Sequence, residues 1–211
     1  AVASVYLTLM VAYSLMTERR RRRSAHSQAT RERELRTRLA QDYNQLLTNH
    51  RITRRPSRPI IEQALDQLHA DGTAYTIGIL RLERYPELER TLGYREAEKL
   101  LRIYLSRFSR FLESSFAEQL VLFQGHCLGT IDTASHVFAF KTALKTDTGK
   151  PGAAINWHMI EHWLQRTFVE ERYAFSWTPR IGIATAPEHG DRSSDLISRA
   201  GYATLSRHQS I

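Results

Sequence analysis

Hydrophobic and polar positions divide the chain into three stretches with different patterns. Residues 1–16 are apolar and uncharged, residues 31–49 carry a narrow apolar stripe on an otherwise charged helix, and the rest alternates between helical and strand patterns. Such alternation predicts a sheet with helices packed on it. We therefore expect an apolar segment (1–16), a basic and helical connection (17–49) and one folded domain (50–211).

The apolar segment ends just before a run of five arginines, which predicts how it meets a membrane. The run comprises Arg19, Arg20, Arg21, Arg22 and Arg23. Positive charge directly after an apolar span marks the cytoplasmic side, and 16 helical residues cover about 24 Å of a hydrocarbon core about 30 Å thick. We interpret the segment as the C-terminal part of a transmembrane helix of a longer protein. A buried helix followed by a solvated basic run is the alternative.

The connection and the domain have recognisable periodicities. Within 31–49 the apolar stripe consists of Leu35, Leu39, Tyr43, Leu46 and Leu47, which predicts a membrane-proximal helix that could pair with a second copy of the chain. In the domain we predict helices at 60–70, 87–116, 151–171 and 193–208, with a turn at 148–150. Strands are predicted at 74–82, 119–123, 136–142 and 173–184, and the second and third could form a hairpin.

Composition and charge exclude several classes of protein. Hydrophobic residues make up 42% and charged residues 25% of the 211 positions, as in an ordinary soluble fold. The single cysteine, Cys127, excludes a disulfide framework and fits a reducing compartment. Residues 1–58 carry 13 Lys and Arg against 4 Asp and Glu, whereas the remainder carries 17 against 18. Because the domain lacks the basic excess of a polyanion-binding protein, no nucleic-acid partner is expected.

Two short segments, H-R-I-T-R-R-P-S-R at 50–58 and R-I-G-I-A at 180–184, carry motifs of a known family. With the order of the predicted elements, they resemble the GGDEF domain of bacterial diguanylate cyclases over roughly residues 50–210. The family's opening is D-x-L-T-G-L-P-N-R, with which Ile52, Thr53, Pro56 and Arg58 agree. The family's S-I-G-I-A strand corresponds to R-I-G-I-A at 180–184, and a P-x-x-G turn and a closing helix follow in the same order. The resemblance implies an α/β (α+β) nucleotide-cyclase fold with a central, mostly antiparallel sheet of about five strands.

The residues that act in the family are replaced in this sequence. The resemblance assigns a Mg²⁺-binding aspartate to the position of Arg81 and guanine-binding asparagine and aspartate side chains to Glu89 and Glu98. A guanidinium repels the metal rather than binding it. Glu89 lacks the amide donor, Glu98 is a partial match, and Gly201 stands where the closing helix of the family has an aspartate.

The signature turn itself has two possible placements. The favoured placement is Ala134, Ser135, His136, Val137 and Phe138. The alternative is Gln124, Gly125, His126, Cys127 and Leu128. Either one puts a histidine at the third position, which holds metal in the family, and neither contains the acidic pair. The upstream R-x-x-D motif is also missing, so we expect a degenerate copy with no catalytic, cofactor-binding or metal-binding residue.

Two other patterns of metal ligands compete with this interpretation. His158, Glu161 and His162 fit H-x-x-E-H, an inverted zinc-protease signature, but no third ligand is evident. His126, Cys127 and His136 could form a cluster at a hairpin, although a fourth ligand at finger-like spacing is missing. A helix with two partly exposed histidines explains the first pattern as well.

The sequence therefore favours a catalytically inactive GGDEF-like signalling domain in a membrane-bound regulator of the cyclic di-GMP pathway. Its expected place is the bacterial inner (cytoplasmic) membrane, with the domain facing the cytoplasm. The expected partners are the membrane, a second copy of the chain or an EAL-type domain, and GTP or cyclic di-GMP could be sensed without turnover. Two alternatives stay open: an adaptor in regulatory RNA decay, and a diguanylate cyclase with altered ligands.

Overall fold

The structure, a computed structural model, describes residues 35–36, 48–142 and 155–205. The chain divides into two compact units, Ala1–Leu46 and Leu47–Ile211. The helices of the second unit are α1 (Arg58–Ala70), α2 (Tyr85–Leu92), α3 (Tyr94–Phe116), α4 (Trp157–Leu164) and α5 (Ser193–Ala203). Its strands are β1 (Tyr75–Leu82), β2 (Gly129–Asp132), β3 (Ser135–Lys141), β4 (Phe168–Glu170), β5 (Tyr173–Phe175) and β6 (Pro179–Ala186).

One antiparallel sheet forms the centre of the domain. Its strand order is β2-β3-β1-β6, and β4 pairs with β5 in a separate two-stranded sheet. Strand β1 lies between β3 and β6. Seven of its eight residues are buried, because its edges are paired and both of its faces are covered. The α+β architecture with helices packed on an antiparallel sheet is confirmed, with four strands in the main sheet.

The sheet separates two hydrophobic clusters. On one face, side chains of Leu80, Leu82 and Phe138 pack with the buried side of α3 and with α4. On the other face, Ile77 and Ile79 pack with buried residues of α1 and α5. Because successive residues of a strand point to opposite faces, Arg81 lies on the α1 and α5 side.

The small β4–β5 sheet is attached to α3 by aromatic and polar contacts. The Tyr104 ring lies 5.2 Å from Trp177 and 5.7 Å from Phe168, measured between centroids. Arg107 donates from Nη1 to the Val169 carbonyl oxygen at 2.8 Å, and its guanidinium lies over the Phe168 ring. These contacts fix the segment that leads into β6.

One predicted strand is not a strand in the structure, and one observed strand was not predicted. Residues 119–123 are not a strand: Leu120 makes one bridge to Phe140, and a turn with positive φ at Gln124 and Gly125 then reverses the chain. The partner of β3 is instead β2, which was not predicted because it is short and begins with a glycine. A side chain at Gly129 would meet Ile61 Cδ1 at 2.4 Å, so close packing of α1 requires the glycine.

Three predicted helices also differ in extent. The predicted 87–116 helix starts at Tyr85 and is divided by Gly93, which has φ 80° and ψ 153°. In the described residues, the predicted 151–171 helix is present at Trp157–Leu164 and ends there because Phe168 turns inward as a strand against the α3 aromatics. The first residues of that prediction, 151–154, and the predicted turn at 148–150 lie outside the described residues. Helix α5 ends at Ala203 rather than at 208.

The predicted strand at 173–184 is two strands, β5 and β6. They are separated at residues 176–178, where Thr178 has φ 46°. A β-branched residue with positive φ cannot continue a strand, so the chain passes from the small sheet to the main sheet at this point.

The predicted membrane segment lies outside the described residues. This holds for 1–16, for the arginines at 19–23 and for most of the 31–49 helix, of which Leu35 and Arg36 are helical. In the part of the chain that the structure describes, no helix combines the length and apolarity needed to cross a bilayer.

Candidate functional site

The candidate site lies at the C-terminal end of β1, where the sheet places basic side chains together. Arg81 is the cross-strand partner of Ser135 in β3 and of Arg180 in β6. Directly opposed residues of antiparallel strands share a face, so two arginines and a buried serine stand side by side. Arg81 is half-buried. This end of β1 therefore carries positive charge at the position where the resemblance implies a metal-binding carboxylate.

The acidic residue beside Arg81 is already compensated. Arg180 forms an ion pair with Glu83, with Nε and Oε1 2.6 Å apart. The backbone holds Glu83 in place as well, because its N–H donates to the Thr178 carbonyl oxygen at 3.4 Å. A carboxylate paired with a guanidinium at this distance is a poor ligand for a cation, since the metal would have to displace the arginine.

A second carboxylate at the start of α2 is paired in the same way. Arg84 donates from Nε and Nη2 to the two carboxylate oxygens of Glu87, each at 2.8 Å. The hydrogen bond from Arg84 lowers the pKa of Glu87. Both side chains are exposed, so this pair contributes little to stability, but it occupies the acceptor oxygens of Glu87.

The favoured signature turn lies next to Arg81. Ala134 is in the turn between β2 and β3, where its N–H donates to Asp132 Oδ1 at 2.8 Å and its carbonyl oxygen accepts from the Leu82 N–H at 2.8 Å. Ser135 is buried on the Arg81 face, as is Val137. The structure thus brings Arg81, Ala134 and Ser135 together at one end of the sheet.

His136 is fully buried and points to the opposite face from Arg81. It is the cross-strand partner of Leu80, and its Nδ1 lies 3.2 Å from the hydroxyl of Thr130. Burial lowers the pKa of His136 to about 3, with the charges of Arg55 and His50 acting in the same direction. The imidazole is therefore neutral at physiological pH and lies on the face of the sheet opposite Arg81. In this position it does not replace the metal-binding carboxylate that the resemblance implies.

The leading loop, residues 48–57, is bonded into this hairpin. The Thr53 hydroxyl lies 2.8 Å from the Thr130 hydroxyl and 3.4 Å from His50 Nδ1. In addition, the Thr130 N–H donates to the Pro56 carbonyl oxygen at 2.8 Å. A polar chain thus runs from His50 through Thr53 and Thr130 to His136. Sequence reasoning missed this chain, because nothing in the sequence pairs residues so far apart.

Glu89 lies in α2 and Glu98 in the first turns of α3, on either side of the break at Gly93. Both are half-buried, and both lie near Tyr85, whose side chain is buried. Burial raises the pKa of Tyr85 to about 12, and the charges of Glu89 and Glu98 act in the same direction. Two carboxylates accept hydrogen bonds but donate none, so this junction cannot supply an amide-type contact to a purine.

The alternative placement of the signature turn, 124–128, lies in a separate tight turn. Phe123 and His126 exchange backbone hydrogen bonds of 2.7 and 3.0 Å around Gln124 and Gly125. Cys127 is buried, and burial raises the pKa of its thiol to about 11. Its sulfur lies 3.7 Å from the Ser109 carbonyl oxygen, so the thiol is part of the core.

The other metal-ligand patterns do not converge in the described residues. In 48–142 and 155–205 the structure brings together no group of three or more His, Cys, Asp and Glu side chains able to hold a metal ion. On α4, His158 Nδ1 lies 3.8 Å from Glu161 Oε2, and His158 and His162 are exposed.

A cavity of about 250 Å³ opens beside Arg81 on the α5 side of the sheet. Its walls include Arg58, Arg81, Asp132, Ser135, Ser198 and Tyr202. Asp132 already accepts from the Ala134 N–H, and Arg58 is paired with Glu62 at 2.7 Å. Chemically, the arrangement offers hydrogen-bond donors and positive charge rather than a cradle of carboxylates.

No family model matches the chain, and no curated protein matches it in sequence. Solved structures do match it. A sensory box/GGDEF family protein from Caulobacter crescentus aligns over 75% of this chain and 96% of its own, with 14% identity and a TM-score of 0.53. The coiled coil and GGDEF domain of DgcB from the same organism, in complex with c-di-GMP, covers 87% and 91%, with 17% identity and a TM-score of 0.54.

A third match contains a further domain. The S helix-GGDEF-EAL structure of LapD from Vibrio cholerae, bound to c-di-GMP, covers 81% of this chain and 36% of its own, with 12% identity and a TM-score of 0.52. The fold is that of a GGDEF domain. At these identities the similarity concerns the GGDEF fold and not the chemistry of the site.

Proposed function

We propose that this chain carries a GGDEF-like domain of the cyclic di-GMP pathway that has lost cyclase chemistry and transmits a signal instead. The observation that carries the proposal is the position of Arg81, between Arg180 and Ser135 at the end of β1. Near a protein surface, two positive unit charges about 4 Å apart repel each other by about 4 kcal/mol. A divalent cation at that distance from a guanidinium is repelled by about twice as much. Among the residues that the structure describes, no group of carboxylates gathers at this edge to bind magnesium and offset that repulsion.

The remaining substitutions support the same conclusion. The carboxylate of Glu83 is paired with Arg180, and His136 is buried with its imidazole on the opposite face. The GGDEF fold nevertheless persists around the site. Retention of a scaffold without its chemistry is expected of a domain used for contacts with other domains.

The pathway is proposed from the fold and from what similar structures contain. DgcB was solved in complex with c-di-GMP, and LapD carries an EAL domain after its GGDEF domain. We propose that this domain likewise acts with an EAL-type domain, a second copy of the chain or another protein partner. We further propose that residues 1–23 tether it to the bacterial inner membrane, with the domain in the cytoplasm.

The leading loop offers a route for the signal. Residues 48–57 follow the proposed membrane-proximal helix and are hydrogen-bonded to β2 through Thr53 and Pro56. Because the Thr53–Thr130 contact continues to His136 in β3, a displacement of the loop would be felt in the hairpin next to Arg81. These contacts form a continuous physical route, and we propose that the loop and the hairpin are energetically coupled along it.

An assay of nucleotide turnover tests the loss of chemistry. The full 211-residue chain, incubated with GTP and either Mg²⁺ or Mn²⁺, is expected to form no cyclic di-GMP by liquid chromatography, while an active diguanylate cyclase assayed in parallel does. The variant Arg81→Asp is expected to stay inactive, because the signature turn still supplies no carboxylate. Formation of the dinucleotide by the unaltered chain, in proportion to its concentration, would show that the proposal is wrong.

A further inference from the structure

Helix α4 presents two histidines to solvent, one helical turn apart. His158 and His162 are both exposed, and the side chain of His158 is 84% exposed. Residues four apart on a helix share a face, with their Cβ atoms about 6 Å apart. Among residues 48–142 and 155–205, the His162 imidazole has no hydrogen bond or ion pair, and the polar contact of His158 is with the Glu161 carboxylate. Both rings are therefore accessible to a ligand from solvent.

The opposite side of α4 is anchored in the domain, so the fold sets the separation of the two histidines. Ile160 is buried, and the Trp163 ring stacks on Phe111 of α3 with their centroids 5.4 Å apart. At the start of the helix, the Asn156 side chain accepts a hydrogen bond from the Met159 N–H at 3.2 Å. Because the helix is ordered before any ligand binds, chelation by its side chains would cost little additional conformational entropy.

A carboxylate next to the pair favours a cation. Glu161 Oε2 lies 3.8 Å from His158 Nδ1. Metal-binding histidines commonly direct their second ring nitrogen to a carboxylate, which orients the ring, so Nε2 of His158 is left for a metal. Arg166 follows one turn after His162 beyond the end of α4, and its charge is exposed to solvent and screened there.

We propose that His158 and His162 together bind one divalent transition-metal ion that prefers nitrogen ligands, such as Zn²⁺ or Ni²⁺. Two histidines at this spacing on one helix face can each place a nitrogen about 2.0–2.1 Å from a single zinc ion, and imidazole suits zinc and nickel. Because the described residues contain no group of three such ligands, water would complete the coordination. Helix α4 packs on the face of the sheet opposite Arg81, so the site is separate from the altered cleft.

Titration calorimetry of the full 211-residue chain, prepared without a histidine tag and freed of metal, tests the proposal. We expect saturable binding of Zn²⁺ and of Ni²⁺, and much weaker binding of Mg²⁺, because Mg²⁺ prefers oxygen ligands. His162→Gln is expected to weaken Zn²⁺ binding by about tenfold or more, since even the loss of a residue that only orients a metal ligand costs about that much.

A variant with the same number of histidines provides the matched control. The double substitution His162→Gln and Gln165→His moves the second imidazole about 10 Å along the helix from His158, too far to share one ion. It should bind Zn²⁺ as weakly as His162→Gln alone. His126→Gln, which removes an exposed histidine outside α4, should bind Zn²⁺ as the wild type does.

Three results would each overturn the proposal. They are no Zn²⁺ binding by the wild type, wild-type affinity in the double variant, and unchanged affinity in His162→Gln with an unaltered circular dichroism spectrum. The turnover assay is independent of all three: formation of cyclic di-GMP would refute the proposed function, whereas failure of zinc binding at α4 would refute this inference alone.

Discussion

His136 shows how a single side chain can be set by burial rather than by its place in a motif. The sequence places it at a position of metal binding, whereas the structure buries it against Thr130, on the face opposite Arg81. Its pKa of about 3 in the folded chain compares with a value near 6.5 for an exposed histidine. The folded state therefore excludes a proton that the unfolded chain accepts, which makes stability depend on pH.

The resulting prediction concerns unfolding at acidic pH. Because the folded-state pKa of His136 is depressed, the contribution of its neutral imidazole to the unfolding free energy is fully present above about pH 6.5. That contribution is lost as the pH falls toward the folded-state pKa. Between pH 7.5 and 5 we expect the wild type to lose about 2 kcal/mol more unfolding free energy than His136→Gln. Urea titrations followed by circular dichroism at both values measure the difference.

The exposed His126 provides the control for this experiment. His126→Gln removes a histidine that lies outside the core and should retain the pH dependence of the wild type. Equal loss of stability in the wild type and in His136→Gln would contradict the burial argument.

At the scale of elements, α5 packs directly against the backbone of β6 at Gly182. A Cβ at Gly182 would lie 1.9 Å from the Ala200 carbonyl oxygen and 2.9 Å from the Thr204 amide nitrogen. Both are backbone atoms and cannot move without shifting the helix. Helix α5 also supplies one wall of the cavity beside Arg81.

We therefore expect opposite effects from two glycine substitutions on facing elements. Gly182→Ala should lower the unfolding free energy by about 3 kcal/mol, as overpacking of a tight contact does. Gly201→Ala, on α5 itself, should be neutral or stabilise by about 0.5 to 1 kcal/mol, since the nearest atom is Ile79 Cδ1 at 3.9 Å and alanine favours the helix. Chemical denaturation of the two variants and the wild type tests this, and equal effects at both positions would contradict it.

The same scale shows what could be predicted from sequence. The apolar β1 lies where it was predicted, and so do the helical stretch at 94–116 and the R-I-G-I-A residues of β6, because their hydrophobic periodicity is strong and local. The break at Gly93 and the division between β5 and β6 were not predicted. Strand β2 was missed, since its glycine is required by a contact with Ile61 that no local pattern encodes. For the site, the resemblance assigns Arg81 to a metal-binding position of the family, but the pairing environment of Arg81 could not be predicted. The Arg180–Glu83 ion pair depends on the register of β1 with β6, which only the folded sheet defines.

For the whole molecule, the main feature outside the folded domain is the concentration of positive charge in the N-terminal part of the chain. Residues 1–58 hold 13 Lys and Arg against 4 Asp and Glu, whereas the remainder is nearly balanced, with 17 against 18. Residues 59–211 have no basic excess that would draw them to an anionic membrane, so we expect the arginines at 19–23 to determine orientation. These arginines lie outside the part of the chain that the structure describes.

Orientation in the membrane is therefore predicted to depend on the charge of residues 19–23. With a compartment-specific reporter fused after Ile211, expressed in bacteria, we expect the reporter to lie in the cytoplasm. Replacing all five arginines by glutamine should give mixed or reversed orientation, because positive charge next to an apolar span is retained on the cytoplasmic side. Replacement by lysine keeps the charge and should preserve the wild-type orientation. A reporter that stays cytoplasmic in the glutamine variant, at wild-type levels, would mean that the arginine run does not set the topology.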